Sequence, residues 1–278
     1  MMPARTNRTP SLLAILVGVC GFLWALPMLW VVLLSLKPNE VLRRAGSSWF
    51  WPYPLTLEHY ETLLRVSQAP QWLLNSFIVA ASTTVLTLVL SSFAGYALAR
   101  IPFRGTAVIF AAMVAGMMIP EQAIFLPLHS MMAGWDLHNT YAALVAPRVA
   151  VPFGVLLMAQ FFKAVPRELE EAAELDHAGR FKIFLTIMLP LSRPALTTLG
   201  IFTFLAAWND FLWPLVSATD SNMYTITVGL SSLQGNFAQS ESLGFLMATA
   251  VYASLPMVIV YLFFQHHIVQ GVAMAPEK

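Results

Sequence analysis

Six apolar stretches, each near twenty residues or longer, alternate with polar connections along this 278-residue chain. They cover about residues 12–34, 72–99, 106–126, 141–162, 195–216 and 243–264. A helix rising 1.5 Å per residue over such a length matches about 30 Å of hydrocarbon. The pattern therefore predicts an all-α, polytopic membrane protein with six transmembrane helices, and residues 1–278 read as one transmembrane domain. Pro120, Glu121 and Gln122 interrupt the third stretch. A broken helix there is tolerable only where protein or a wet cavity, not lipid, satisfies the freed backbone groups.

The first stretch follows Arg5 and Arg8 and superficially resembles a secretion signal. It is too long for a signal core of about 7–15 residues, and no small-residue cleavage pattern precedes Lys37, so a retained span is expected. Orientation follows from basic residues in the connections. One side holds Arg5, Arg8, Arg100, Arg104, Lys163, Arg167, Arg180, Lys182, Arg193 and Lys278; the other holds Lys37, Arg43, Arg44 and Arg65. Ten against four places both termini and the connection at 166–190 in the cytoplasm. On the external side, Trp49, Phe50, Trp51 and Tyr53 precede a short amphipathic pattern from Thr56 to Leu64, an interfacial helix beside an aromatic belt.

Composition narrows the chemistry. Hydrophobic residues make up 58% of the chain and charged ones only 10%, against about 25% in soluble proteins. A formal net charge of +1 and no basic run longer than Arg43-Arg44 argue against nucleic acid as a partner. Cys20 is the single cysteine, which excludes an internal disulfide or thiolate metal site and reads as a small buried hydrophobe. No phosphate-cradling glycine loop ending in lysine occurs, nor a nucleophile elbow or zinc-binding histidine pair. His266 and His267 are adjacent, so they point about 100° apart; they are expected to cap the last span.

Against this background one segment stands out. Residues 168–176 read ELEEAAELD and hold five of the fourteen acidic side chains. Pro166 suits a helix start, and Glu168, Glu170 and Glu171 oppose the positive end of the helix dipole. Acidic residues there are also what a solvated cap would show. That alternative does not account for GRFKIFLTIMLP, which leads from this helix into the next span.

Glu171, Ala172, Ala173, Ile187, Leu189 and Pro190 stand in the register of the EAA loop, with Asp176 and Ala178 fitting its longer form. The chain thus resembles membrane-spanning subunits of binding-protein-dependent ABC importers. It departs at His177, where that family has glycine, with Gly179 two positions on. Asn75-Ser76, YALAR ending at Arg100, Asn139 to Tyr141, WNDFLWPL from Trp208 to Leu215 and QHHIVQG ending at Gly271 extend the similarity over about residues 70–271. Together they resemble the six-span, maltose-type permease of the carbohydrate uptake branch, a type I importer fold.

The resemblance implies a transport subunit of the bacterial inner membrane that binds no cofactor itself. It implies a second permease, two ATPases that bind ATP and magnesium, an external solute-binding protein, and membrane lipid as surroundings. By the same token residues 166–190 form the coupling loop, with Glu168, Glu171, Ala172, Ala173, Leu175, Asp176, His177 and Gly179 toward an ATPase. The external connection at 218–242, with Asn222, Tyr224, Gln234, Gly235, Asn236 and Gln239, faces the binding protein. A sugar or sugar derivative is the expected solute, with glycerol phosphate or another polar solute the alternative. A stand-alone secondary carrier and an intramembrane enzyme are the rival classes.

Two charges lie within expected spans. Arg148 and Asp210 stand at depths that agree within about 2 Å, and burying either unpaired is costly. Either they pair, or each meets backbone carbonyls or water separately. Trp208 and Asn209, beside Asp210, offer an aromatic face and an amide that suit a path for hydroxylated solutes.

Overall fold

The computed structural model describes residues 12–43, 54–235 and 243–273, with backbone alone at 43, 235 and 266–273. Every regular element among the described residues is helical. The expected single domain divides into two compact units, Met1–Ser67 with Leu230–Ser254 and Gln68–Gly229 with Leu255–Lys278.

The chain opens with α1 (Leu12–Ser35), α2 (Asn39–Arg43) and α3 (Glu58–Arg65). Large apolar side chains of α1 are exposed along most of its length, as suits a helix facing lipid, and Cys20 is exposed among them rather than buried. The amphipathic helix α3 buries His59 and Leu63 and leaves Leu64 outward. His59 Nε2 meets the Lys37 carbonyl at 2.9 Å, and Tyr60 shares a 2.6 Å hydrogen bond with Ser35. The aromatic run before α3 and both arginines of the N-terminal tail lie outside the described residues.

Next come α4 (Ala69–Arg100), α5 (Thr106–Met117), α6 (Glu121–Gly134), α7 (Tyr141–Val149) and α8 (Pro152–Ala164). Then follow α9 (Glu168–Leu175), α10 (Arg180–Ile183), a π-turn at Phe184–Met188, α11 (Leu189–Leu191), α12 (Arg193–Asn209) and α13 (Leu212–Ser217). A 3-10 turn at Ser221–Met223, α14 (Ile226–Gly235) and α15 (Leu243–Ala273) complete the order. Helices α1, α4 and α15 are long and apolar enough to cross a membrane alone. Counting the bent pairs α5–α6 (97°), α7–α8 (45°) and α10/α11–α12 (74°) as one crossing each gives six among the described residues.

The breaks have local causes. Pro120, extended at ψ 132°, ends one helix and starts another. Pro152 opens α8 and pushes Val151 into extended backbone, a break that the sequence pattern did not reveal. Pro214 has no N–H to give the carbonyl four residues back, so the expected span at 195–216 stops at Asn209 and resumes at Leu212. The carbonyl thus freed, that of Asp210, accepts from the Thr227 hydroxyl at 2.8 Å. Thr87 does the same for the Val149 carbonyl, at 3.2 Å. Each freed group so identified is satisfied by a side chain, which membrane depth demands.

In the second unit α4 packs against α7, α8 and α12. Met158, Phe162, Phe184, Met188 and Leu199 form the fully buried centre of this core. Helices α4 and α8 approach closely at Gly95, where a Cβ would stand 2.8 Å from Met158 Cβ and 2.9 Å from the Ala159 nitrogen. The expected connection at 218–242 is not a plain loop, since it contains the 3-10 turn and α14, while Asn236 and Gln239 lie outside the described residues. Helix α15 runs on to Ala273, so His266 and His267 do not end it.

Candidate functional site

Three charges converge where three helices break. Glu121 is the first residue of α6, Arg148 lies in the last turn of α7, and Asp210 follows the end of α12. Arg148 Nη2 donates to Asp210 Oδ2 at 2.5 Å and Nη1 to Glu121 Oε2 at 2.6 Å. Glu121 and Arg148 also sit at the ends of their helices that favour their charge. The Arg148 and Asp210 side chains are largely buried, at 23% and 15% exposure, whereas Glu121 is 66% exposed. Of the two readings open at Arg148 and Asp210, the structure has the pair, with Glu121 as an unforeseen third member.

The cluster borders a cavity of about 760 Å³, within the range of small-molecule sites. Phe125, Phe153 and Phe202 line it together with Asp210 and Thr83. Trp208 does not, being buried at 3% exposure and stacked on Phe204 at 5.8 Å. Asn209 is exposed and donates to the Leu205 carbonyl of its own helix at 2.8 Å. Only Asp210 of the three expected path residues lines the cavity.

The acidic helix α9 is two-sided. Glu170, Ala173 and the following Ala178 face the chain's own core: Ala173 and Ala178 pack on it, and Glu170 Oε1 lies 2.9 Å from Arg100 Nε. Arg100, the last residue of α4, also donates to the carbonyls of Phe162 and Val165. Glu168, Glu171, Ala172, Leu175, Asp176, His177 and Gly179 are exposed, Leu175 at 82%. Ala173 thus belongs to the inner side, contrary to its expected place toward a partner, because a helix turns about 100° per residue and Ala172 takes the outer face.

Helix α9 ends in a Schellman motif. The Ala178 N–H donates to the Ala173 carbonyl and the His177 N–H to Glu174, both at 3.0 Å. His177 itself adopts φ 56°, a left-handed conformation that glycine enters without a Cβ clash. The turn geometry is therefore kept although the glycine is not.

Comparison with known proteins agrees with this geometry. Residues 87–274 match the family described as binding-protein-dependent transport system inner membrane component. The arabinooligosaccharides transport system permease protein AraQ of Bacillus subtilis is 34% identical over 260 residues, 93% of this chain and 92% of that protein. The trehalose/maltose transport system permease protein MalG of Thermococcus litoralis is 34% identical over 256 residues, 91% of each. The chain belongs to this inner-membrane family. A crystal structure of a bacterial ABC transporter involved in the import of the acidic polysaccharide alginate shares the permease fold, with a TM-score of 0.81 at 20% identity over 96% of this chain and 99% of that one.

The other motifs of the permease serve to anchor its connections. Asn75 is fully buried; its amide nitrogen donates to the carbonyls of Asn222 (2.8 Å) and Tyr224 (2.9 Å), and its oxygen accepts from Tyr141 (2.7 Å) and Gln71 (3.0 Å). Ser76 Oγ accepts from the Ile226 N–H at 2.8 Å, starting α14. Asn139, at φ 60°, accepts from the Thr219 and Asp220 N–H groups at 2.7 and 2.8 Å, while Thr140 caps α7. The Asn75-Ser76 and Asn139-to-Tyr141 pairs are thus one structure, clamping residues 219–226 to the start of α4. Sequence reasoning recognised these motifs without a role, and their polar residues inside an apolar chain were the available signal.

Proposed function

We propose that this permease is one of two membrane subunits of an ATP-driven importer for a saccharide. It pairs with a second permease, receives solute from an extracytoplasmic binding protein and takes mechanical work from two cytoplasmic ATPases. ATP and magnesium reside on those ATPases, and both termini of this chain lie in the cytoplasm. The observation that carries the reading is the two-sidedness of α9. Its inner side is tied to the core through Glu170 and Ala173, and its outer side presents carboxylates around an exposed Leu175. An apolar tip ringed by acids suits insertion into a cleft of another protein, with charge-assisted hydrogen bonds at its edge.

A push on α9 reaches α4 through the Arg100–Glu170 pair and the core through Ala173. Transport then follows from two-state coupling, in which nucleotide and loaded binding protein each favour one arrangement of the helices. The sugar class is supported by the relatives, named as transport permeases for arabinooligosaccharides and for trehalose and maltose. The solute path runs through the cavity beside Asp210, and residues 218–242 face the binding protein.

Co-expression with a candidate partner ATPase tests this reading. The intact chain is expected to co-purify with that ATPase, and Glu171→Lys or Leu175→Asp to abolish co-purification while the permease remains folded. Uptake by this chain alone in vesicles, without ATP, would instead make it a carrier.

A further inference from the structure

We infer that the cavity beside Arg148 takes an uncharged saccharide and turns acidic sugars and sugar phosphates away. The inference rests on the importer reading above and names its substrate class. It also departs from the fold neighbour, whose solute is an acidic polysaccharide.

The charges decide the class. One guanidinium serves two carboxylates, so Glu121, Arg148 and Asp210 together carry a net charge of −1. An arginine that binds an anionic ligand offers its planar fork to it. Here Nη1 and Nη2 are already held by Glu121 and Asp210, and the fork bridges two acids of the chain itself. A carboxylate or phosphate entering the cavity meets two like charges, that of Asp210 largely buried and so weakly screened, a repulsive device of the kind that builds specificity.

The remaining lining suits a neutral, hydroxylated ring. Phe125 and Phe202 supply apolar faces, and carboxylate oxygens at Glu121 and Asp210 supply acceptors for ligand hydroxyls. Thr83, 2% exposed, lines the same cavity, and its hydroxyl has no hydrogen-bond partner among the described residues. A buried hydroxyl without a partner is costly in an apolar setting, and a ligand hydroxyl would satisfy it.

The test uses the full assembly of permeases, ATPase and binding protein in proteoliposomes, with maltotriose, arabinotriose and trigalacturonate as probes. Maltotriose and trigalacturonate carrying a photoreactive diazirine are also crosslinked to the assembly and the labelled peptides mapped. The neutral probe is expected to label the segments around Phe125 and Phe202, and the acidic probe to leave them unlabelled. Glu121→Gln, which leaves the Arg148–Asp210 pair intact, is expected to raise acidic labelling relative to neutral at least tenfold, and Thr83→Val to lower neutral labelling several-fold. Equal labelling by both probes, an unchanged ratio in Glu121→Gln, or neutral label only outside the cavity overturns the inference. Loss of ATP-driven uptake for every probe would overturn the importer reading, a separate outcome, since the crosslink reports cavity occupancy without turnover.

Discussion

Arg100 Nε lies 2.9 Å from Glu170 Oε1, so the last residue of the longest core helix is joined to the inner side of the acidic helix. Both side chains are nearly buried, at 6% and 15% exposure. Removing one partner strands a charge and costs about 3–5 kcal/mol. Arg100→Ala is therefore expected to lower the melting temperature of the solubilised permease. It should also uncouple ATP hydrolysis from uptake, because α9 would move without α4. A melt and a coupling ratio like those of the parent chain would count against this.

His177 occupies a left-handed backbone position that a side chain makes unfavourable by roughly 1–2 kcal/mol. His177→Gly should stabilise the C-terminal turn of α9 by about 1 kcal/mol, and His177→Val should weaken it. Hydrogen exchange at the Ala178 amide, which closes the Schellman turn, measures both directions. Faster exchange in the glycine variant would contradict the strain argument.

Asn75 is the hub of four hydrogen bonds and has no exposed surface. Asn75→Ala orphans the carbonyls of Asn222 and Tyr224, at about 1–3 kcal/mol for each group left unsatisfied. The expected result is early proteolysis within residues 219–226, before the core opens. Asn75→Asp keeps the acceptors but loses both donors, so it should resemble the alanine variant and not the parent.

Gly95 and Gly116 form a matched pair. A Cβ at Gly95 meets Met158 Cβ at 2.8 Å, while nothing lies within 4 Å of one at Gly116. Gly95→Ala is expected to force α4 from α8 at a cost of about 1–3 kcal/mol. Gly116→Ala, in α5, should be neutral or stabilise by up to about 1 kcal/mol. Equal thermal stability of the two variants would show that α4 and α8 are not in the close contact described.

The expected fold class and family are those found, because each rests on local signals. Apolar length sets a membrane helix, and the spacing of Glu171, Ala172, Pro190 and the Trp208–Leu215 motif is contiguous text. The misplacements have a common cause. Residues 195–216 and 141–162 are mostly apolar, with Arg148 and Asp210 the only charges, so hydropathy shows one span in each, yet Pro214 and Pro152 break them. Ala172 and Ala173 both belong to the EAA register and look alike along the chain; only the packing of α9 on the core turns Ala173 inward.

Alone, the amino-acid order determined that this protein is helical, lies in a membrane and carries an acid-rich helix, because hydrophobic run length, proline position and charge density act within a few turns. Tertiary structure decided that Arg148 stands between Glu121 and Asp210, that Asn75 holds residues 222–224, and that Trp208 is packed away from the cavity. These outcomes depend on how bent helices cross. Crossing is set by packing at places such as Gly95, among side chains that are similarly apolar and so leave no distinguishing mark along the chain.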